Sequence, residues 1–291
     1  MMNFEKMKAV KKSLAFGLAT LTLGAALAGC GAEKSASTEK KGPSISGKVA
    51  VDGSTSMEKV IGSLGEVFTG KNPGVTFTYN PTGSGSGIKA VQNGRCDIGL
   101  SSRYLKEAEL KDDLKEVILA YDGIAIIVNE KNPVQNLSQE QLAAVYRGEI
   151  KDWSELGGAV GPIVRIGREA GSGTRDGFES VTKTKDKCKY GQELTSTGDV
   201  IATVAANPAA IGYASVSAVG KKVKTIAVDN VLPTEKTIVD KSYKVQRPFV
   251  LALKQSKPLS GAAKAFCDFA LSREGAEIIK KAGAIPVPEK K

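Results

Sequence analysis

A strand-like apolar run that breaks into glycines and small hydroxyls and then opens a helix occurs three times in this chain. That repetition restricts the fold more than any other feature of the sequence. Val49-Ala50-Val51 leads into Gly53-Ser54-Thr55-Ser56 and then into a helical pattern of Val60, Ile61, Leu64, Val67 and Phe68. Val75 to Tyr79 leads into Thr82-Gly83-Ser84-Gly85-Ser86-Gly87 and then Ile88-Lys89-Ala90-Val91. Pro162 to Ile166 leads into Arg168-Glu169-Ala170-Gly171-Ser172-Gly173-Thr174, with a helix expected from Arg175 through Val181. Each turn has the chemistry of an anion cradle. Glycines let backbone N–H groups approach a ligand, hydroxyls add donors, and the positive end of the following helix dipole favours negative charge. Arg168 and Arg175 flank the third turn, and a guanidinium grips a tetrahedral oxyanion through two parallel charge-assisted hydrogen bonds. Three such strand ends converge on one anion in an open α/β sheet.

The rest of the chain fits that plan. Asn93-Gly94 turns into Cys96 to Arg103, a buried strand whose end, Ser101-Ser102-Arg103, points to the same crevice as the cradles. The βαβαβ order this completes implies a parallel sheet. Val117 to Asn129 is a second apolar strand, interrupted by Tyr121, Asp122 and Gly123. A buried carboxylate needs a partner, so Asp122 either caps a bend at Gly123 or accepts a hydrogen bond from the ligand. Leu142 to Tyr146 reads as helix, Trp153 as a packing anchor, and Gly198 to Val204 as another helix start. Phe249 to Leu253 reads as a strand and Leu259 to Ala282 as two helical stretches.

With 291 residues, 41% of them apolar, the chain suffices for one large or two medium domains. Lys6, Lys8, Lys11 and Lys12 precede an apolar segment from Leu14 to Leu27, which has the form of a secretory signal and is short for a membrane span. Leu27-Ala28-Gly29-Cys30 resembles a bacterial lipobox, which implies cleavage before Cys30 and a lipid on its sulfur; Gly31 to Ser46 then reads as a flexible tether. Removing residues 1–29 takes away four lysines and one glutamate from a net charge of +10 and leaves +7. The lysines are scattered and no nucleic-acid-reading motif accompanies them, so nucleic acid is not expected as a partner. Cys96, Cys188 and Cys267 fit neither a disulfide framework nor a zinc site by spacing, and no pair is selected. The chain has no histidine. That excludes Ser-His-Asp and Cys-His catalysis and histidine-dependent metal sites; no metal or cofactor is expected.

Taken together, the cradles, Asp97 to Arg103, Val145 to Trp153, Arg168 to Thr174 and Ile211-Gly212-Tyr213 resemble the phosphate-binding lipoproteins of bacterial phosphate ABC transporters, over nearly all of residues 46–288. The resemblance implies an α/β fold of the type II periplasmic-binding-protein kind, two lobes joined by a hinge of two crossings, with no catalysis. The expected division is a signal peptide over 1–29, lipidated Cys30 and tether over 30–46, one lobe from 47–122 plus 248–291, and a second from 123–247. The expected ligand is inorganic phosphate and the expected partners are ABC permease subunits, with the protein held on the outer face of the cell membrane by its lipid. Carried across by position, the family's contacts fall on Thr55 and Ser56, within Ser84, Gly85 and Ser86, and on Arg168, Ser172, Gly173 and Thr174. The chain departs from the best-known members in two respects: Ser102, followed by Arg103, stands where they have an aspartate that accepts the phosphate's proton, and the second-loop hydroxyl is ambiguous, the strict match being Gly85 with Ser84 and Ser86 on either side. Asp122 is the candidate for the displaced carboxylate, and Arg103 for an added cation. Rival readings are a receptor for sulfate or molybdate, which should have no carboxylate at the site; a phosphohydrolase, which needs a nucleophile with a base or a metal cluster; and an adhesive lipoprotein, which has no use for three anion cradles.

Overall fold

The computed structural model describes residues 45–287. The proposed signal segment, Cys30 and all of the tether before residue 45 lie outside them, as do residues 288–291.

The first unit alternates strand and helix. Strand β1 (Ser46–Gly53) is followed by α1 (Glu58–Lys71), β2 (Gly74–Asn80), α2 (Ser84–Gln92), β3 (Ile98–Ser101) and α3 (Glu107–Lys111). The chain then enters β4 (Leu114–Val128), 15 residues long. There follow β5 (Asn136–Leu137), α4 (Gln139–Arg147), β6 (Val164–Arg168), α5 (Gly173–Val181), β7 (Gln192–Leu194), α6 (Thr197–Ala206), β8 (Ala210–Ser215), β9 (Lys224–Val228) and α7 (Glu235–Val239). The return is made by β10 (Gln246–Lys254), and α8 (Gly261–Ala270), α9 (Arg273–Lys281) and β11 (Ile285–Pro286) finish the described chain. Among the described residues no helix is long and apolar enough to cross a membrane.

Strand order along the main path is β2-β1-β3-β10-β4-β8-β6-β7. β1 pairs parallel with both β2 and β3, so the three N-terminal strand ends share one edge, as the sequence pattern implies. β6 pairs parallel with β7 and β8, which places the third cradle on a matching edge of the second half. The two halves meet at β4 and β10, a long antiparallel pair that spans both. Leu119 and Ala120 of β4 pack with Phe249, Leu251 and Leu253 of β10 in a core that also holds Val49, Val51, Ile61 and Leu64. Ile124, Ile126 and Val128, further along β4, belong to a different core with Phe178, Tyr213 and Val245. This is the two-lobed, two-crossing architecture expected from the resemblance.

Several boundaries differ from the sequence pattern, α5 among them by starting at Gly173 instead of Arg175, and two of the differences have clear local reasons. The second helix starts at Ser84 rather than Ile88, because Gly83 with φ 95° turns the chain directly into helix and Ser84 is buried as its first residue. The third cradle's strand runs to Arg168 instead of ending at Ile166, because Ile166, Gly167 and Arg168 find parallel partners in β7. Trp153 is a packing anchor: it is buried, and its Nε1 donates to the Ala209 carbonyl at 2.9 Å. Cys96, Cys188 and Cys267 are all free thiols.

Candidate anion-binding site

The site is built where the strand ends and helix N-termini face one another. At the first strand end Gly53 has φ 138°, and a Cβ there would lie 2.2 Å from the Leu100 carbonyl oxygen, so only glycine allows β1 to turn against β3. The turn delivers Thr55 and Ser56, both buried. From the other half, Ser172 caps α5 by accepting the Arg175 N–H, and Thr174 sits in its first turn. Gly173 is required for contact between the halves: a Cβ on it would stand 2.5 Å from Ser84 Oγ and 2.7 Å from Ser102 Oγ. The N-terminal turn of α5, the anion-attracting end, therefore rests on those two serines.

Six hydroxyls form the lining. Ser56 Oγ lies 2.7 Å from Thr174 Oγ1 and 3.2 Å from Thr197 Oγ1, Thr55 Oγ1 lies 3.1 Å from Thr197 Oγ1, and Ser84 Oγ lies 3.2 Å from Ser102 Oγ. Two buried guanidiniums join them. Arg168 donates from Nη1 to Thr197 Oγ1 at 3.2 Å, and from Nε and Nη2 to the carbonyls of Leu194 and Thr195. Arg247 donates from Nη1 to Thr174 Oγ1 at 2.6 Å and from Nη2 to Asp122 Oδ2 at 3.2 Å. Burial pulls both arginines' pKa down; the Asp122 charge opposes this at Arg247. Burial likewise pushes the Asp122 carboxyl above its ordinary range, against the pull of Arg247.

Of the residues picked from sequence, Thr55, Ser56, Ser84, Ser102, Arg168, Ser172, Gly173 and Thr174 come together here. In the second loop the ambiguity between Ser84 and Ser86 is removed by burial: Ser84 is 1% exposed, whereas Ser86 faces solvent. The Gly85 N–H is bonded to the Gly171 carbonyl at 3.0 Å, tying the two cradle loops together. Arg103 is directed elsewhere: it forms a two-pronged bond to Glu109, and its Nε lies 2.7 Å from Asp176 Oδ2, an ion pair by distance rather than by hydrogen-bond alignment. Asp122 stands behind Arg247, with Oδ1 accepting the Ser217 N–H at 3.3 Å. Asp97 accepts the Ala50 N–H just before β3, at the end opposite Ser102. Sequence reasoning missed Arg247 and Thr197. Arg247 is the cross-strand partner of Asp122 in the β4–β10 ladder, a pairing over 125 residues of chain. Thr197, first residue of α6 after the capping Ser196, was detectable as another small hydroxyl at a helix start.

Among the described residues no group of three or more His, Cys, Asp or Glu side chains is placed to hold a metal ion. A buried, donor-rich cradle between two α/β lobes defines a binding protein of the periplasmic-binding-protein class. Residues 38–274 match the PBP superfamily domain, and the chain belongs to that family. The phosphate-binding protein PstS of Bacillus subtilis is 30% identical over 277 residues, covering 91% of this chain and 90% of that protein. PstS of Borreliella burgdorferi is 26% identical over 251 residues, covering 82% and 90%. A crystal structure from Clostridium perfringens with bound phosphate, assigned as a phosphate ABC transporter substrate-binding protein, is 40% identical, with TM-score 0.80, covering 83% of this chain and all of that one. An ABC-type phosphate transport receptor from Vibrio cholerae is 33% identical, with TM-score 0.68 and the same coverage.

Proposed function

We propose that this protein captures inorganic phosphate outside the cytoplasmic membrane and delivers it to an ABC permease for import, without catalysis. The observation that carries this reading is the convergence of Thr55, Ser56, Ser84, Ser102, Thr174 and Thr197 with the buried guanidiniums of Arg168 and Arg247 at the start of α5. Stripping water from a phosphate is costly unless nearly every oxygen meets a donor, and these groups supply donors from both halves. The phosphate-binding names of the relatives support the same ligand. Ser172, Gly173, Gly85 and Ser86 contribute through the loop geometry, Arg103 by joining the halves, and Asp122 by acting through Arg247.

The lobes in this reading are residues 47–122 with 248–291, and residues 123–247, closing about the Asp122–Arg247 crossing. Cys30 carries the lipid that keeps the receptor near its permease, since the two chains of a diacylglycerol hold where one acyl chain gives marginal attachment. Residues 1–29 are removed on export. Calorimetric titration of the purified chain with phosphate and sulfate tests the ligand. One-to-one phosphate binding with micromolar or tighter Kd, about −8 kcal/mol or beyond, is expected; tighter sulfate binding would overturn the assignment. Cys30→Ala should interfere with attachment of the lipid and with removal of residues 1–29, read by mass spectrometry of the N-terminus; a wild-type N-terminus downstream of Cys30 without lipid would overturn the anchor.

A further inference from the structure

At neutral pH phosphate retains a proton and sulfate does not, so a site that prefers phosphate must present a hydrogen-bond acceptor to that proton. Most polar groups of this site are committed as donors. Thr174 Oγ1 takes an Arg247 N–H and Thr197 Oγ1 an Arg168 N–H, so both hydroxyls are polarised to donate onward. Ser56 Oγ bonds to those two threonines alone. Thr55 Oγ1 takes the Thr197 N–H, and Ser84 Oγ takes the Ser102 N–H at 3.1 Å. Ser172 Oγ takes the Arg175 N–H. The buried carboxylate behind the site, Asp122, is bonded to Arg247 and the Ser217 N–H. Of the six lining hydroxyls, Ser102 Oγ alone takes neither an N–H nor a hydroxyl that a guanidinium polarises. Its one side-chain partner is Ser84 Oγ, and it is 1% exposed against the first turn of α5.

Resting on the phosphate reading above, we infer that Ser102 Oγ accepts the phosphate's proton, while its own hydrogen is donated to Ser84 Oγ. The site then selects phosphate through a neutral hydroxyl pair and not through a carboxylate. Ser84 fixes the direction of the pair, because the Ser102 N–H occupies one side of its oxygen and leaves the other to receive the Ser102 hydroxyl. A neutral acceptor gains phosphate its hydrogen bond but applies no charge repulsion to sulfate, so selectivity is shallower than a carboxylate would give.

The test is a set of calorimetric titrations of the full chain and its Ser102→Ala and Ser102→Asp variants with phosphate and with sulfate, each variant first checked for wild-type thermal unfolding. Ser102→Ala should weaken phosphate about tenfold and sulfate little, as expected for loss of one buried hydrogen bond. Ser102→Asp should keep phosphate binding and widen the phosphate-to-sulfate ratio by repelling the unprotonated anion. If Ser102→Ala weakens both anions equally, or leaves the ratio unchanged, the inference is overturned while the phosphate reading stands. If the wild-type chain binds no phosphate, it is the functional reading that fails.

Discussion

Two buried arginines hold the site, and they are held in opposite ways. Arg168 is 2% exposed and satisfied by neutral groups, the Leu194 and Thr195 carbonyls and Thr197 Oγ1; its nearest carboxylate, Glu169, is 3.7 Å away and partly exposed. Arg247 is 4% exposed and faces Asp122 directly across the β4–β10 ladder. The difference teaches that one cation keeps its charge for the ligand, whereas the other is largely neutralised and serves to orient Thr174 and to pin the crossing of the lobes. A protein that must release its anion gains from this division, because two uncompensated buried charges would hold a dianion too firmly.

The largest effect that separates the two is on stability. Arg247→Ala leaves Asp122 buried and unpaired, which should cost about 3–5 kcal/mol, read as a lowered midpoint in urea. Without its partner the Asp122 carboxyl has a folded-state pKa raised further above its unfolded value. The folded state then holds the proton more tightly, so the variant's deficit should be smallest below about pH 4, the unfolded value, and should grow as pH rises through the folded pKa. A deficit that does not change between pH 4 and 8 would show that Asp122 is not the group left unpaired. Arg168→Ala should act next most strongly and mainly on binding, with phosphate affinity falling by roughly 2–5 kcal/mol, as for truncation of a desolvated charge contact. If its loss matches that of Arg247→Ala in both binding and unfolding, the two arginines are equivalent and the comparison fails.

Asp122→Asn keeps the shape of the pair and frees the charge of Arg247. Phosphate and sulfate should then both bind more tightly, by on the order of 1 kcal/mol, with their ratio held. A ratio shifted toward sulfate alone would place Asp122 on the phosphate's proton. Smallest is the effect of Asp176→Asn, which removes a partner of Arg103 that is 29% exposed. Phosphate affinity should fall by about 1 kcal/mol or less, as for partly exposed ion pairs, with faster release in stopped-flow displacement; an Arg103→Ala loss as large as that of Arg168→Ala would make Arg103 a ligand contact after all.

Short-range chemistry was legible in the sequence because it is encoded by neighbours. Gly53, Gly173, Ser172 and Thr174 declare a tight turn and a capped helix start within a few residues, and three such declarations predict where a parallel sheet presents its strand ends. Arg103 and Asp122 were identified as polar residues at informative places, but their partners were not. Arg103 lies six residues from Glu109 in sequence and yet reaches Asp176 on α5, which depends on how the two lobes sit together. Asp122 meets Arg247 through the register of β4 with β10, and one residue of slip would have turned Arg247 to the opposite face.

The sequence by itself determined the class of fold, the three cradles and the hydroxyls and Arg168 that furnish them, because apolar periodicity, glycine turns and helix caps act over distances the chain spans locally. Tertiary structure alone decided which cation is free and which is neutralised, that Thr197 and Arg247 join the site, and that Ser84 rather than Ser86 faces inward. Those outcomes depend on burial and on pairing between segments as many as 145 residues apart, where the energy of a charge or hydroxyl is set by what packs against it and not by what precedes it in the chain.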